Sequence, residues 1–192
     1  MKAIMQRTII IGIIALGVGC SAPLGGATSV YAVGLPMLEI NARDSALWVR
    51  GSPGDQIEAH VEGVADLRHP PTLELSVEGG EVAVLEVRYP DALRSPTSIV
   101  VTVPTSMGAL INAGGDYLDV RGVDSVDIAD GRGDLIVGGV VGDVWIEDAG
   151  GDIFVSDVGG VVSIRDAGGD IDVTNAGGVE VIEDSSGEVT ID

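Results

Sequence analysis

The sequence predicts an all-β protein: a parallel β-solenoid of about 18-residue, two-strand coils, preceded by irregular β-strands. Three observations carry that expectation. Glycines fall on a strict nine-residue beat at Gly133, Gly142, Gly151, Gly160, Gly169, Gly178 and Gly187. Between them apolar residues alternate with period two, as in a strand with one buried face. A second period of eighteen lies over the nine: Gly133, Gly151, Gly169 and Gly187 lead into Asp134, Asp152, Asp170 and Glu188, whereas Gly160 and Gly178 lead into valine. Two strands and two different corners per coil produce that pattern.

From the amino end, Lys2 and Arg7 head the apolar run Thr8–Gly19, which at twelve residues is short for a membrane span of about 20. Residues 1–19 therefore read as a signal peptide. The chain's one cysteine, Cys20, ends the run in "LGVGC", which resembles a bacterial lipoprotein signal; Gly17 stands where leucine is usual, with Leu16 one place further back. On that reading Cys20 is lipidated and residues 20–36 form a linker. Cleavage after Ala32 in "VYA", or a merely incidental cysteine, are the alternatives. Either cleavage removes Lys2 and Arg7 and takes the net charge from −20 to −22.

Residues 37–104 hold strand-like runs at Met37–Asn41, Leu47–Arg50, Gln56–Val61, Leu73–Val77, Val82–Tyr89 and Ser98–Val103, separated by turns such as "GSPGD" and "RHPP". Residues 105–192 carry the regular repeat. "DYLDVRG" (116–122) fits it after a one-residue slip, and "DSVDIADG" (124–131) fits with Val126 and Ile128 inward. The inward pairs continue as Leu135/Val137, Val144/Ile146, Ile153/Val155, Val162/Ile164, Ile171/Val173 and Val189/Ile191. At one rung Glu180 takes an inward slot, unless Val179 and Val181 turn inward there instead.

With "SIVVTVPTSMGALINAGGD" followed by units of Gly-Asp, hydrophobic, x, hydrophobic, the chain resembles the bacterial putative-adhesin domains of unknown function over roughly Met37 to Asp192. The resemblance implies a right-handed β-solenoid, export and an envelope location. It implies no catalytic residues.

Composition bounds the function. Thirty acids against ten basic residues repel nucleic acid, which is bound through lysine and arginine. A hydrophobic fraction of 45% excludes the disorder that such acidity otherwise accompanies. Stacked coils place acids on both flanks of one corner: Asp130, Asp148, Asp166 and Asp184 before the turn, and Asp134, Asp152, Asp170 and Glu188 after it. At about 4.8 Å between rungs, such a ladder needs solvation, protons or cations. The pre-turn acids are expected to cap turns and the post-turn acids to stay solvated, so no cofactor is expected; bridging Ca²⁺ is the alternative. Ile136 and Phe154 fall together on one outward face and Trp145 on the other, a candidate partner surface. The Arg-Gly-Asp of Arg132–Asp134 follows from the repeat except for its arginine.

His60 and His69 stand apart from any nucleophile, so the expectation is a non-enzyme. A polysaccharide-acting enzyme using Arg121, Arg132 or Arg165 is the weaker rival. The expected partners are an envelope protein or a surface glycan, with the membrane reached through the N-terminal lipid.

Overall fold

The computed structural model describes residues 27–43, 45–62, 71–89 and 98–192, without the side chains of Val181 and Ile182. Cys20 and His69 lie outside the described residues. Fifteen strands and no helix occur among them: β1 (Ala27–Tyr31), β2 (Met37–Ala42), β3 (Ala46–Ser52), β4 (Gln56–Glu62), β5 (Thr72–Glu78), β6 (Val82–Arg88), β7 (Ser98–Pro104), β8 (Gly108–Ala113), β9 (Tyr117–Arg121), β10 (Val126–Ala129), β11 (Asp134–Val140), β12 (Val144–Asp148), β13 (Ile153–Asp166), β14 (Ile171–Asp184) and β15 (Val189–Ile191).

These strands form one continuous sheet, in the order β1-β4-β7-β3-β9-β11-β13-β12-β10-β8-β2-β6-β5, with β14 and β15 added beyond β13. The path doubles back through the fourteen-residue β13, whose first half pairs with β11 and whose second half pairs with β12. Its two ends, β1 and β5, lie against one another. The expected parallel β-solenoid is therefore corrected to a nearly closed barrel of mixed strand order. Antiparallel pairs overturn the expectation: β1 with β4, β4 with β7, and β5 with β6. Their cause is local. The nine-residue beat governs only the later strands, whereas β3 to β7 are each seven residues long. Gly79 and Gly80, with φ of 60° and 77°, build the tight turn that sends β6 back along β5.

Within the repeat, strands eighteen residues apart pair in parallel: Val126 with Val144, Val144 with Val162, Leu135 with Ile153, Ile153 with Ile171. β9 pairs with β11 at an offset of seventeen, Leu118 with Leu135, which is the slip seen in the sequence. The inward pairs from Leu135/Val137 through Ile171/Val173 are all buried, and so are Val126 and Ile128. Each such Val or Ile contributes about 1.5–3 kcal/mol over exposure to water. Val189 and Ile191 differ, at 39% and 52% exposed, because β15 pairs with β14 alone.

At the Glu180 rung the offset drops to seventeen, pairing Val179 with Val162 and Val181 with Ile164, and returns to eighteen at Glu183 opposite Arg165. A bulge at Ile182 absorbs the extra residue. Val179 packs against the core and Glu180 is exposed.

The glycine beat has a steric cause beyond turn formation. Gly151 and Gly169 have φ of 126° and 130°, and a β-carbon on either would run into the carbonyl of the glycine eighteen residues earlier. At the opposite corner the left-handed position passes from Gly122 and Gly139 to Asp157 and Asn175, the short polar residues that best tolerate it. The Asn175 amide donates to Asp157 Oδ1 at 2.7 Å, tying those two corners together.

Residues 27–31 of the expected linker are a strand. β1 pairs with β4, and the Ala32 N–H donates to the Asp55 carbonyl at 2.7 Å with Ala32 buried. No break separates 37–104 from 105–192, since β3 pairs with both β7 and β9.

Candidate functional site

The eight corner acids fall into two columns rather than one ladder. Asp148 lies two residues beyond Ile146 on the same strand, so the pleat turns it inward. Asp130 and Asp166 occupy the equivalent places, and the three are 8%, 7% and 1% exposed, with Asp184 half-buried. Each spends Oδ1 on its own turn: Gly131 N–H to Asp130 at 2.7 Å, Ala149 N–H to Asp148 at 2.7 Å, Gly168 N–H to Asp166 at 3.0 Å, Ser186 N–H to Asp184 at 3.0 Å. In Asp130, Asp148 and Asp166 the second oxygen is closed off from solvent without a hydrogen-bond partner among the described residues. Burial, reinforced by the Asp148 charge, pushes the Asp130 carboxyl up to about 6 against the turn N–H bonds that pull it down. Burial likewise raises Asp148, which faces Asp166.

The post-turn acids face outward, with Asp134, Asp170 and Glu188 exposed and Asp152 half-exposed. They also clamp neighbouring rungs. Asp152 Oδ1 accepts the Asp170 N–H at 3.0 Å, Asp170 Oδ1 accepts the Glu188 N–H at 2.9 Å, and Asp134 Oδ1 meets the Asp152 N–H at 3.4 Å. Among the described residues no three acids, histidines or cysteines gather around a point where an ion would sit.

The outward faces divide as the alternation implies. Ile136 pairs with Phe154 on the β9-β11-β13 run, and Phe154 is 43% exposed. Trp145, 37% exposed, stands on the opposite run between Asp127 of β10 and Ser163 of β13. Around it lies a shallow groove of about 290 Å³, continued by Ser125 and Asp143 and ending at Met37 and Val161. Burial, then the nearby Glu147 charge, raises the Asp127 carboxyl. The side chains of Ser125, Asp127 and Ser163 have no hydrogen-bond partner among the described residues.

On the first face, the sequence reading missed a charged cluster. Asp119 is 5% exposed and takes a two-pronged contact from Arg50, at 2.7 and 3.0 Å, and a further bond from Arg121 at 2.8 Å. Beside it the Trp48 and Tyr117 rings meet at 5.5 Å with their planes tilted by 44°; burial and then Asp119 raise the Tyr117 phenol. The signal was an outward aspartate two residues before an arginine on its own strand, β9, with Arg50 on the neighbouring β3. Arg165, on the opposite face, bridges Glu147 at 3.0 Å and Glu183 at 3.4 Å. Arg132 is exposed at the corner beside the turn glycine Gly133, and His60 contacts Glu62 at 3.2 Å. Arg121, Arg132 and Arg165 thus stand on two faces and a corner, and share no cleft.

No family model and no curated protein matches the chain. The structure resembles that of a putative cell adhesion protein from Clostridium sporogenes, at 12% identity and a TM-score of 0.53 over 87% of this chain and 97% of that one. A putative adhesin from Bacteroides fragilis aligns at 13% identity over 87% and 95% of the chains, with a TM-score of 0.30. A putative lipid binding protein from Parabacteroides distasonis aligns at 11% identity over 87% and 95%, with a TM-score of 0.26. Only the first score carries an argument, and at that identity it concerns the fold alone. At that level the resemblance to putative-adhesin domains read from the sequence holds.

Proposed function

We propose that this protein is an exported, non-catalytic binding module of adhesin type, held in the bacterial envelope by a lipid on Cys20 and engaging its partner through an outward sheet face. The observation that carries the reading is the pair of half-exposed aromatic residues, Trp145 on β12 and Phe154 on β13, standing on opposite outward faces of the sheet. Exposed aromatic side chains on rigid strands supply contact area at low entropic cost. The fold shared with the putative cell adhesion protein of Clostridium sporogenes supports the same reading. The bonding of β1 and the burial of Ala32 favour processing at Cys20 over a cut after Ala32, which would strip β1 from the sheet.

The test is made on the full chain expressed in a bacterial host. Labelled fatty acid is expected on the wild type and absent from Cys20→Ala, and cells carrying the protein should retain an envelope or host surface that control cells do not. Equal labelling of Cys20→Ala would sink the anchor. Equal retention by control cells would sink the binding role.

A further inference from the structure

We propose that the Trp145 groove is a saccharide site that takes one neutral, hydroxyl-rich pyranose unit of a larger glycan. The inference rests on the binding-module reading and deepens it by giving the ligand a chemical class.

A pyranose ring has a face of C–H bonds and a rim of hydroxyls. Its complement is a flat aromatic surface bordered by groups that both donate and accept. The indole of Trp145 offers the negative face of its ring system, which attracts polarised C–H bonds. It is half-exposed rather than covered by another strand. On the adjacent strands, about 4.8 Å to either side, stand Asp127 and Ser163, paired directly with it across the sheet. Asp143 and Ser125, the residues just before β12 and β10, complete the polar lining of the groove.

Carboxylates accept hydroxyl protons and serines both donate and accept, so the rim of the ring meets complementary groups on three sides. The unpaired side chains of Ser125, Asp127 and Ser163 are free to serve. Asp143 has Oδ1 on the Val161 N–H at 2.8 Å, which fixes the carboxylate while leaving it acceptor capacity. The groove, at about 290 Å³, lies at the lower edge of small-ligand pockets, the size of one ring rather than a chain.

Charge selects within the class. The groove is lined by two aspartates and no cation in a chain of net charge −20, so uronic and sialic acids are repelled. A free cation is also a poor fit. Asp127 lies on β10 and Asp143 just before β12, and among the described residues no three acids, histidines or cysteines gather around a point.

The experiment uses the detergent-solubilised full chain with Trp48→Phe, which leaves Trp145 as the sole indole. Methyl glucoside, N-acetylglucosamine, cellotetraose, chitotetraose and maltotetraose are titrated by indole emission and calorimetry, beside tetragalacturonate, choline and lysine amide. At least one neutral sugar should saturate with Kd between about 0.1 and 10 mM. Tetragalacturonate should bind at least roughly tenfold more weakly, and Trp145→Ala should weaken the neutral sugar at least roughly tenfold by calorimetry. Asp127→Asn should weaken it several-fold, while Phe154→Ala leaves it within about twofold.

No neutral sugar saturating below about 50 mM, unchanged affinity in Trp145→Ala, or tighter binding of choline or lysine amide than of every sugar overturns the proposal. Surface retention that survives Trp145→Ala, alongside absent sugar binding, removes the groove and keeps the binding module. Absent retention with intact sugar binding removes the adhesin reading and keeps the groove.

Discussion

Replacing Asp130 by asparagine should raise the protein's stability by about 1 kcal/mol at pH 4.5 and by about 3 kcal/mol at pH 7.5. Asp130 is 8% exposed, one of its oxygens has no hydrogen-bond partner, and burial lifts its carboxyl from 3.8 to about 6. Between those values the native state holds the proton and the unfolded chain has released it. More protons bound in the native state means that unfolding free energy falls as pH rises through this window and is flat above it. The shift of about 2.2 pKa units, at 1.36 kcal/mol each, makes the ionised native carboxylate costly by up to about 3 kcal/mol at pH 7.5. Asparagine is neutral throughout and keeps the acceptor oxygen for the Gly131 N–H. The gain at pH 7.5 therefore approaches about 3 kcal/mol, roughly 6–12 °C in Tm for a chain of this size. Denaturant unfolding of both proteins from pH 4.5 to 7.5 measures it, and titration of the other carboxylates largely cancels in the difference. A difference independent of pH, or an asparagine variant less stable at pH 7.5, would refute the reasoning.

Other perturbations follow from the same geometry. Gly169→Ala meets a positive φ and the Gly151 carbonyl and should cost more than about 3 kcal/mol, while Gly178→Ala, whose β-carbon would rest 3.7 Å from Val161 Cγ2, should cost under about 1; thermal melts of the two compare them. Asp119→Ala leaves Arg50 and Arg121 without their shared acceptor and should destabilise by about 1–3 kcal/mol, with Tyr117 titrating at lower pH in an absorbance titration. Millimolar Ca²⁺ should shift the Tm by under about 1 °C, since the corner acids form no cage; a chelator-reversible rise would show that an ion enters the columns.

Much of the site was legible. Alternation placed Trp145 opposite Ile136 and Phe154, and the pre-turn aspartates bond their own turns as their residue type implies. The inward turn of Asp148 was also readable, because Val144, Ile146 and Asp148 follow one parity. The post-turn aspartates' bonds to the next rung could not be read, since they need the stacking distance between segments eighteen residues apart.

The sequence by itself determined most strands of residues 37–192, the inward residues from Leu135 to Val173 and the glycine corners. Those depend on periods of two and nine that each segment carries within itself. Tertiary structure alone decided the strand order. β7 enters between β3 and β4, parallel to one and antiparallel to the other, and β1 closes toward β5. Such pairings join segments tens of residues apart whose local patterns are alike. The choice among them rests on which arrangement buries every inner face and pairs the backbone at once, a condition on the whole chain that no window of it contains.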